Sequence, residues 1–247
     1  MKKDIEITPL DSSELSQRTK LALIELIRSS ESDRPFKLPN EDKLAQMVGV
    51  SRNALRDALA SLEEMGFVTR QRSKGTMANP VVARETCRLD TDPGVFRMIE
   101  GQGKTPHSQV RRLEFVEEND PVLGTASSSY LNLEKLFYAD DRPVVFCADH
   151  IEGSVARRGE DAIQTLRERS CFNFLKEACR QPVAYSMATF DVLQADERLQ
   201  ELFGVGPEAL FLQMDDVVYS RDLEIICHQT SYYRKGDFSV KVLRKGW

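Results

Sequence analysis

The chain has 247 residues, of which 41% are apolar and 30% charged, with a net charge of −5. This balance supplies core enough for one large domain or two smaller ones, and no apolar run approaches the ~20 residues that cross a bilayer. Met1-Lys2-Lys3-Asp4 has no apolar stretch behind it, so no signal peptide is expected, and the protein reads as cytoplasmic with no membrane partner.

In chain order, the first predicted helix opens at Asp11-Ser12-Ser13-Glu14, an acidic cap with a glutamate three residues on. Leu15, Thr19, Ala22, Leu23, Leu26 and Ile27 follow at helical spacing, and Pro35 and Pro39 forbid continuation. Asn40 caps a second helix, Glu41 and Asp42 suit its positive N-terminal dipole, and Gly49 closes it. Ser51 then caps a third helix that runs to Gly66. Two short helices across so tight a turn are a helix-turn-helix signature. Phe67–Arg72, a polar Ser73-Lys74-Gly75 turn and Thr76-Met77-Ala78 predict a β-hairpin wing.

The average charge hides an asymmetry: residues 1–77 carry +1 and the remainder −6, with Arg52, Arg56, Arg70, Arg72 and Lys74 clustered. Clustering, rather than the total, sets the field that a nucleic acid meets. Arg52 and Arg56 are four residues apart, so they share a helix face, with Ser51 and Asn53 beside them. Arginine suits guanine and asparagine suits adenine in the major groove. Ser51 and nearby backbone N–H groups suit a phosphate.

Residues 79–85 read as an interdomain linker, which divides the chain into a DNA-binding domain (1–78) and a second domain (86–247). The second domain predicts strands at 108–117, 134–138, 143–151, 186–192, 210–220, 224–233 and 238–242, with helices at 95–101, 160–166, 173–179 and 196–202. The fold class is therefore α+β, a winged helix-turn-helix followed by one antiparallel sheet with inserted helices.

The five cysteines (87, 147, 171, 179, 227) are odd in number and scattered, and His107, His150 and His228 fall at no metal-ligand spacing. Buried, reduced thiols follow, with no metal, cofactor or disulfide framework expected. No set of nucleophile, base and orienting residue is apparent, so no catalytic residue is assigned.

Leu38-Pro39-Asn40-Glu41, Leu44-Ala45, Gly49-Val50-Ser51-Arg52, Leu55-Arg56-Asp57-Ala58-Leu59 and Lys74-Gly75-Thr76 closely resemble the DNA-binding domain of GntR-family regulators. The resemblance implies DNA contacts from Asn40, Glu41, Ser51, Arg52, Asn53, Arg56, Lys74, Gly75 and Thr76. Three positions depart from the family pattern: Asp42 replaces an arginine, Ala54 a threonine and Ser73 a glycine. Asp42 thus removes a phosphate contact and adds repulsion.

The second domain resembles the UTRA effector domain of the HutC subfamily, whose fold is like that of chorismate lyase. The segments Gly103-Lys104-Thr105-Pro106, Tyr138–Val144, Ser170–Leu175, Leu202–Val205 and Ser231–Asp237 carry this resemblance. It implies an effector pocket at Lys135, Cys147, Ser170, Phe172, Cys227 and Tyr232. Two family glutamates have become Cys147 and Cys227, and one arginine Phe137, which points to a small acid rather than a sugar phosphate. The expected protein is a homodimeric repressor on a pseudo-palindromic operator in double-stranded DNA, released by a small-molecule effector. Two alternatives are a thiol-redox regulator acting through Cys147, Cys171 and Cys227, and a lyase-like enzyme.

Overall fold

A computed structural model describes residues 12–91, 94–124 and 127–245 of the chain. These form two compact units, one ending at residue 91 but rejoined by residues 241–245, the other filling the span between.

In the first unit, α1 (Ser12–Arg28), α2 (Glu41–Val48) and α3 (Arg52–Glu64) pack around Leu23, Ile27, Leu44, Leu55, Leu59 and Leu62, all fully buried. The cap expected at Asp11 lies outside the described residues. Asn40 Oδ1 accepts the Lys43 N–H at 2.9 Å, and Gly49 ends α2 at φ 76°, a left-handed conformation that glycine adopts without strain. Ser51 Oγ then accepts the Ala54 N–H at 3.2 Å and starts α3. The wing is a three-stranded sheet in the order β1 (Phe36–Lys37), β3 (Gly75–Ala78), β2 (Val68–Gln71).

The expected linker is instead α4 (Pro80–Arg84), started by Asn79 with proline at its first turn. Its Ala83 is fully buried in the same core as α1 and α3. Apolar Pro80 and Ala83, three residues apart on one helical turn, explain why the segment folds back rather than spanning solvent. The end of the chain also returns here: Lys241 exchanges backbone hydrogen bonds with Cys87 and Leu89, and the Leu243 N–H reaches Asp90. The strand expected over 238–242 is thus absent, leaving two isolated bridges, Lys235 to Phe238 and Arg88 to Lys241.

The second unit opens with α5 (Val95–Glu100), followed by β4 (Pro106–Val116), β5 (Tyr130–Ala139) and β6 (Arg142–Glu152). Next come α6 (Gly153–Arg157), a 3₁₀ segment (Glu160–Arg167), α7 (Cys171–Glu177) and β7 (Val183–Gln194). The chain continues with α8 (Glu197–Phe203), β8 (Leu210–Ser220) and β9 (Ile225–Arg234). All six strands form one antiparallel sheet in the order β4-β5-β6-β9-β8-β7. Leu131, Leu133 and Ile151 pack with α6 and α7, while Leu136, Phe146 and Tyr232 pack with α8. Because successive strand residues point to opposite faces, these two clusters lie on opposite sides of the sheet.

Candidate DNA interface and effector site

Capping by Ser51 points the first turn of α3 outward: Ser51, Arg52, Asn53 and Arg56 are all exposed. The two guanidinium groups are not idle. Arg52 Nε lies 3.0 Å from Asp42, and Glu41 sits 3.6 Å from Arg56 and 4.0 Å from Arg52. Asp42 therefore pairs with Arg52 on the exposed face of α3. Such exposed pairs are worth about 0–1 kcal/mol, whereas a bidentate guanine contact is worth about 1–3 kcal/mol.

Asn40 is occupied as the α2 cap. In the wing, Lys74 and Gly75 are exposed at the turn and Thr76 is half-buried. Gly75 has φ 85°, which a side chain would strain. Sequence reasoning missed how the wing is anchored: Glu63 near the end of α3 accepts both the Arg70 N–H and its Nε, each at 2.7 Å. Burial works against the Glu63 carboxylate, yet these bonds outweigh it and hold its pKa below the usual value.

In the second unit, Lys135 and Cys147 are direct partners across β5 and β6, and Cys147 pairs with Ser231 on β9. Ser231 Oγ approaches Cys147 Sγ at 3.3 Å, and Cys171 Sγ lies 3.6 Å from Cys227 Sγ. Lys135 is only 5% exposed, and its Nζ donates to the Arg169 carbonyl at 2.6 Å, next to the Ser170 cap of α7. Burial lowers its pKa, an effect that the Asp149 carboxylate partly offsets. Asp149 itself is buried and bonded by Gln229, a polar partner that the sequence did not reveal. Lys135, Cys147, Ser170 and Cys227 thus gather at the sheet face beneath α7, and Phe172 packs against that cluster.

Tyr232 does not join them. It pairs with Phe146 and packs with α8 on the opposite face, because residue 232 alternates with Ser231 along the strand. An apolar groove of about 360 Å³ lies elsewhere, at the β7 end of the sheet, lined among others by Val192, Leu212 and Phe238. None of the expected effector residues lines it.

The thiols speak against redox sensing, which needs an acidic, accessible cysteine. All five are buried. The contact with Cys227, reinforced by burial, pushes the Cys171 thiol well up. Contact with Cys171 pulls the Cys227 thiol down, but burial and nearby carboxylates outweigh it. Burial raises Cys179 to about 11.

Two family models match the chain: bacterial regulatory proteins of the gntR family over residues 15–77, and the UTRA domain over residues 101–239. The regulator YurK of Bacillus subtilis is 30% identical over 119 residues, 46% of this chain and 48% of YurK. GgaR of Escherichia coli is 32% identical over 122 residues, 48% of each chain, so the match spans about half the length of these two relatives. NagR of Bacillus subtilis, a transcriptional repressor, is 22% identical over 84% of this chain and 85% of its own. Among solved structures, YydK of Bacillus subtilis shares the fold with a TM-score of 0.74 at 13% identity, covering 94% of this chain and 99% of that one. PhnF of Mycobacterium smegmatis has a TM-score of 0.58 at 19% identity, covering 93% and 100%. With the UTRA match alone covering more than half of the residues, the chain belongs to the gntR family of bacterial regulatory proteins that carry a UTRA domain.

Proposed function

We propose that the protein is a homodimeric repressor that reads a pseudo-palindromic operator through the N-terminal end of α3 and is released by a small acid. The observation that carries this reading is the exposed Ser51-Arg52-Asn53…Arg56 face, capped and charge-poised as a major-groove reader. Lys74, Gly75 and Thr76 add wing contacts to the backbone. The related NagR is a repressor, which favours repression over activation.

For the effector, the buried Lys135 ammonium at the foot of α7 favours an anion. The thiols of Cys147 and Cys227 leave few partners for sugar hydroxyls, which are costly to bury unbonded. Edge strand β7 supports dimerisation, since Met187 and Val192 are 63% and 64% exposed beside Tyr185 and Phe190. An apolar edge left open would template aggregation unless a second copy covers it. The match to a family of regulators favours reading the effector domain as binding rather than turning over its ligand. Among the described residues no helix is long and apolar enough to cross a membrane.

The test is a thermal-shift screen of small carboxylic and phosphonic acids on the full chain, followed by fluorescence anisotropy on operator DNA. An acid that raises Tm and releases the operator supports the proposal. Release by peroxide, reversed by dithiothreitol, with no responsive acid would replace it with thiol control.

A further inference from the structure

The sheet brings together three groups that lie far apart in sequence. His150 on β6 and His228 on β9 are direct cross-strand partners, so their rings share one face. Asp120, in the loop before β5, reaches over both. Its Oδ1 is fixed by the N–H groups of Val122 and Leu123 at 2.8 and 3.1 Å. Oδ2 is thereby aimed at the histidines, 2.6 Å from His150 Nδ1 and 3.6 Å from His228 Nδ1. One potential ligand atom from each residue lies within 4.8 Å of the others. A tetrahedral zinc-type site with bonds near 2.1 Å needs ligand atoms about 3.3 Å apart, so side-chain shifts on the order of 1 Å would complete it.

Two further observations point to an ion rather than to a simple hydrogen-bonded trio. His228 Nε2 is held at 2.8 Å by Asp215, the imidazole–carboxylate arrangement that fixes a metal-ligating tautomer. Asn132, only 4% exposed, is the cross-strand partner of His150, and its Oδ1 is buried without a hydrogen-bond partner. An orphan amide oxygen in that row is costly to bury unless something binds it. His150 remains 27% exposed, which leaves an entry path.

We propose that Asp120, His150 and His228 form a binding site for a divalent transition metal of the zinc class, with Asn132 as a further oxygen donor. Two imidazoles exclude magnesium and calcium, which take all-oxygen shells, and the absence of thiolate excludes a site selective for soft ions. The site lies on the opposite sheet face from Lys135 and the cysteines, so it is distinct from the proposed effector pocket.

The experiment titrates the chelator-stripped full chain with Zn²⁺ against a chromophoric competitor, and separately with Co²⁺ followed by absorption and NMR. One equivalent should bind per chain. The cobalt form should lack a thiolate charge-transfer band and show a shifted, exchangeable imidazole N–H from His228. Asp215→Asn should weaken zinc binding by roughly 10–100-fold, and His228→Gln by more. A Cys171→Ser/Cys227→Ser variant should bind as wild type. No saturable binding, binding unchanged in both His228→Gln and Asp120→Asn, or a thiolate band would each overturn the proposal. The cobalt spectrum of the wild-type chain decides the matter even if the histidine variant fails to fold.

Discussion

Arg52 and Arg56 carry the recognition argument, and each has a measurable share. Arg52→Ala and Arg56→Ala should each lose about 1–3 kcal/mol of operator discrimination, with unchanged Tm because both side chains are 61% exposed. Asp42→Asn should act in the opposite direction. Freeing Arg52 from its 3.0 Å partner should tighten DNA binding by up to about 1 kcal/mol, roughly fivefold, with a weaker gain at high salt. Weaker binding by Asp42→Asn would instead show that the carboxylate positions Arg52 for the groove. In the effector domain, Lys135→Ala should weaken the acid effector by about 1.5–3 kcal/mol in calorimetry while leaving effector-free DNA affinity intact. Equal affinity in wild type and variant would remove Lys135 from the pocket.

At the scale of elements, the first unit depends on a closing segment that the sequence did not announce. Arg88, 3% exposed, donates to the Met65 carbonyl at 2.9 Å and to Asp90, while the Leu243 N–H also reaches Asp90. Burial works against the Asp90 carboxylate, but these bonds outweigh it and keep its pKa below the ordinary value. The stability they add is therefore present above the usual carboxylate range and lost as pH falls through the depressed pKa. Asp90→Asn should cost about 1.5–3 kcal/mol at neutral pH and flatten that acid limb in thermal melts. A variant with the wild-type pH profile would show that the pair is inert. Gly66, at φ 79° and with Leu243 packed where a Cβ would stand, should tolerate alanine poorly for both reasons.

The helix-turn-helix was legible because its caps and its 3.6-residue apolar period are local signals: Asn40, Gly49 and Ser51 act where the pattern places them. The segments 79–85 and 238–242 were misread because tertiary packing, through Ala83 and the Asp90–Leu243 contact, decides their conformation. Of the residues expected at the effector pocket, Lys135, Cys147, Ser170 and Cys227 lie on one side of the sheet, whereas Tyr232 lies on the other, a matter of register that the sequence does not display. His150 and His228 escaped detection for a related reason. They meet only because β6 pairs with β9 across 78 residues of chain, a separation no local spacing rule reports.

For the whole molecule, the two-fold reading requires a dimer. Replacing Met187 and Val192 on the open β7 edge with lysine should shift the chain towards monomer in light scattering at micromolar concentration, without unfolding the sheet, since both side chains are largely exposed. Operator affinity should fall with it, because a lone unit reads only half the site. The most direct test of the central claim is selection of bound sequences from random double-stranded DNA, with the full chain and the Arg52→Ala/Arg56→Ala variant run side by side. The wild-type chain should enrich an inverted repeat with guanines in each half, and the double variant should lose the repeat while retaining weak, salt-sensitive binding. Enrichment of the same repeat by both proteins, or of none by the wild type, would contradict it.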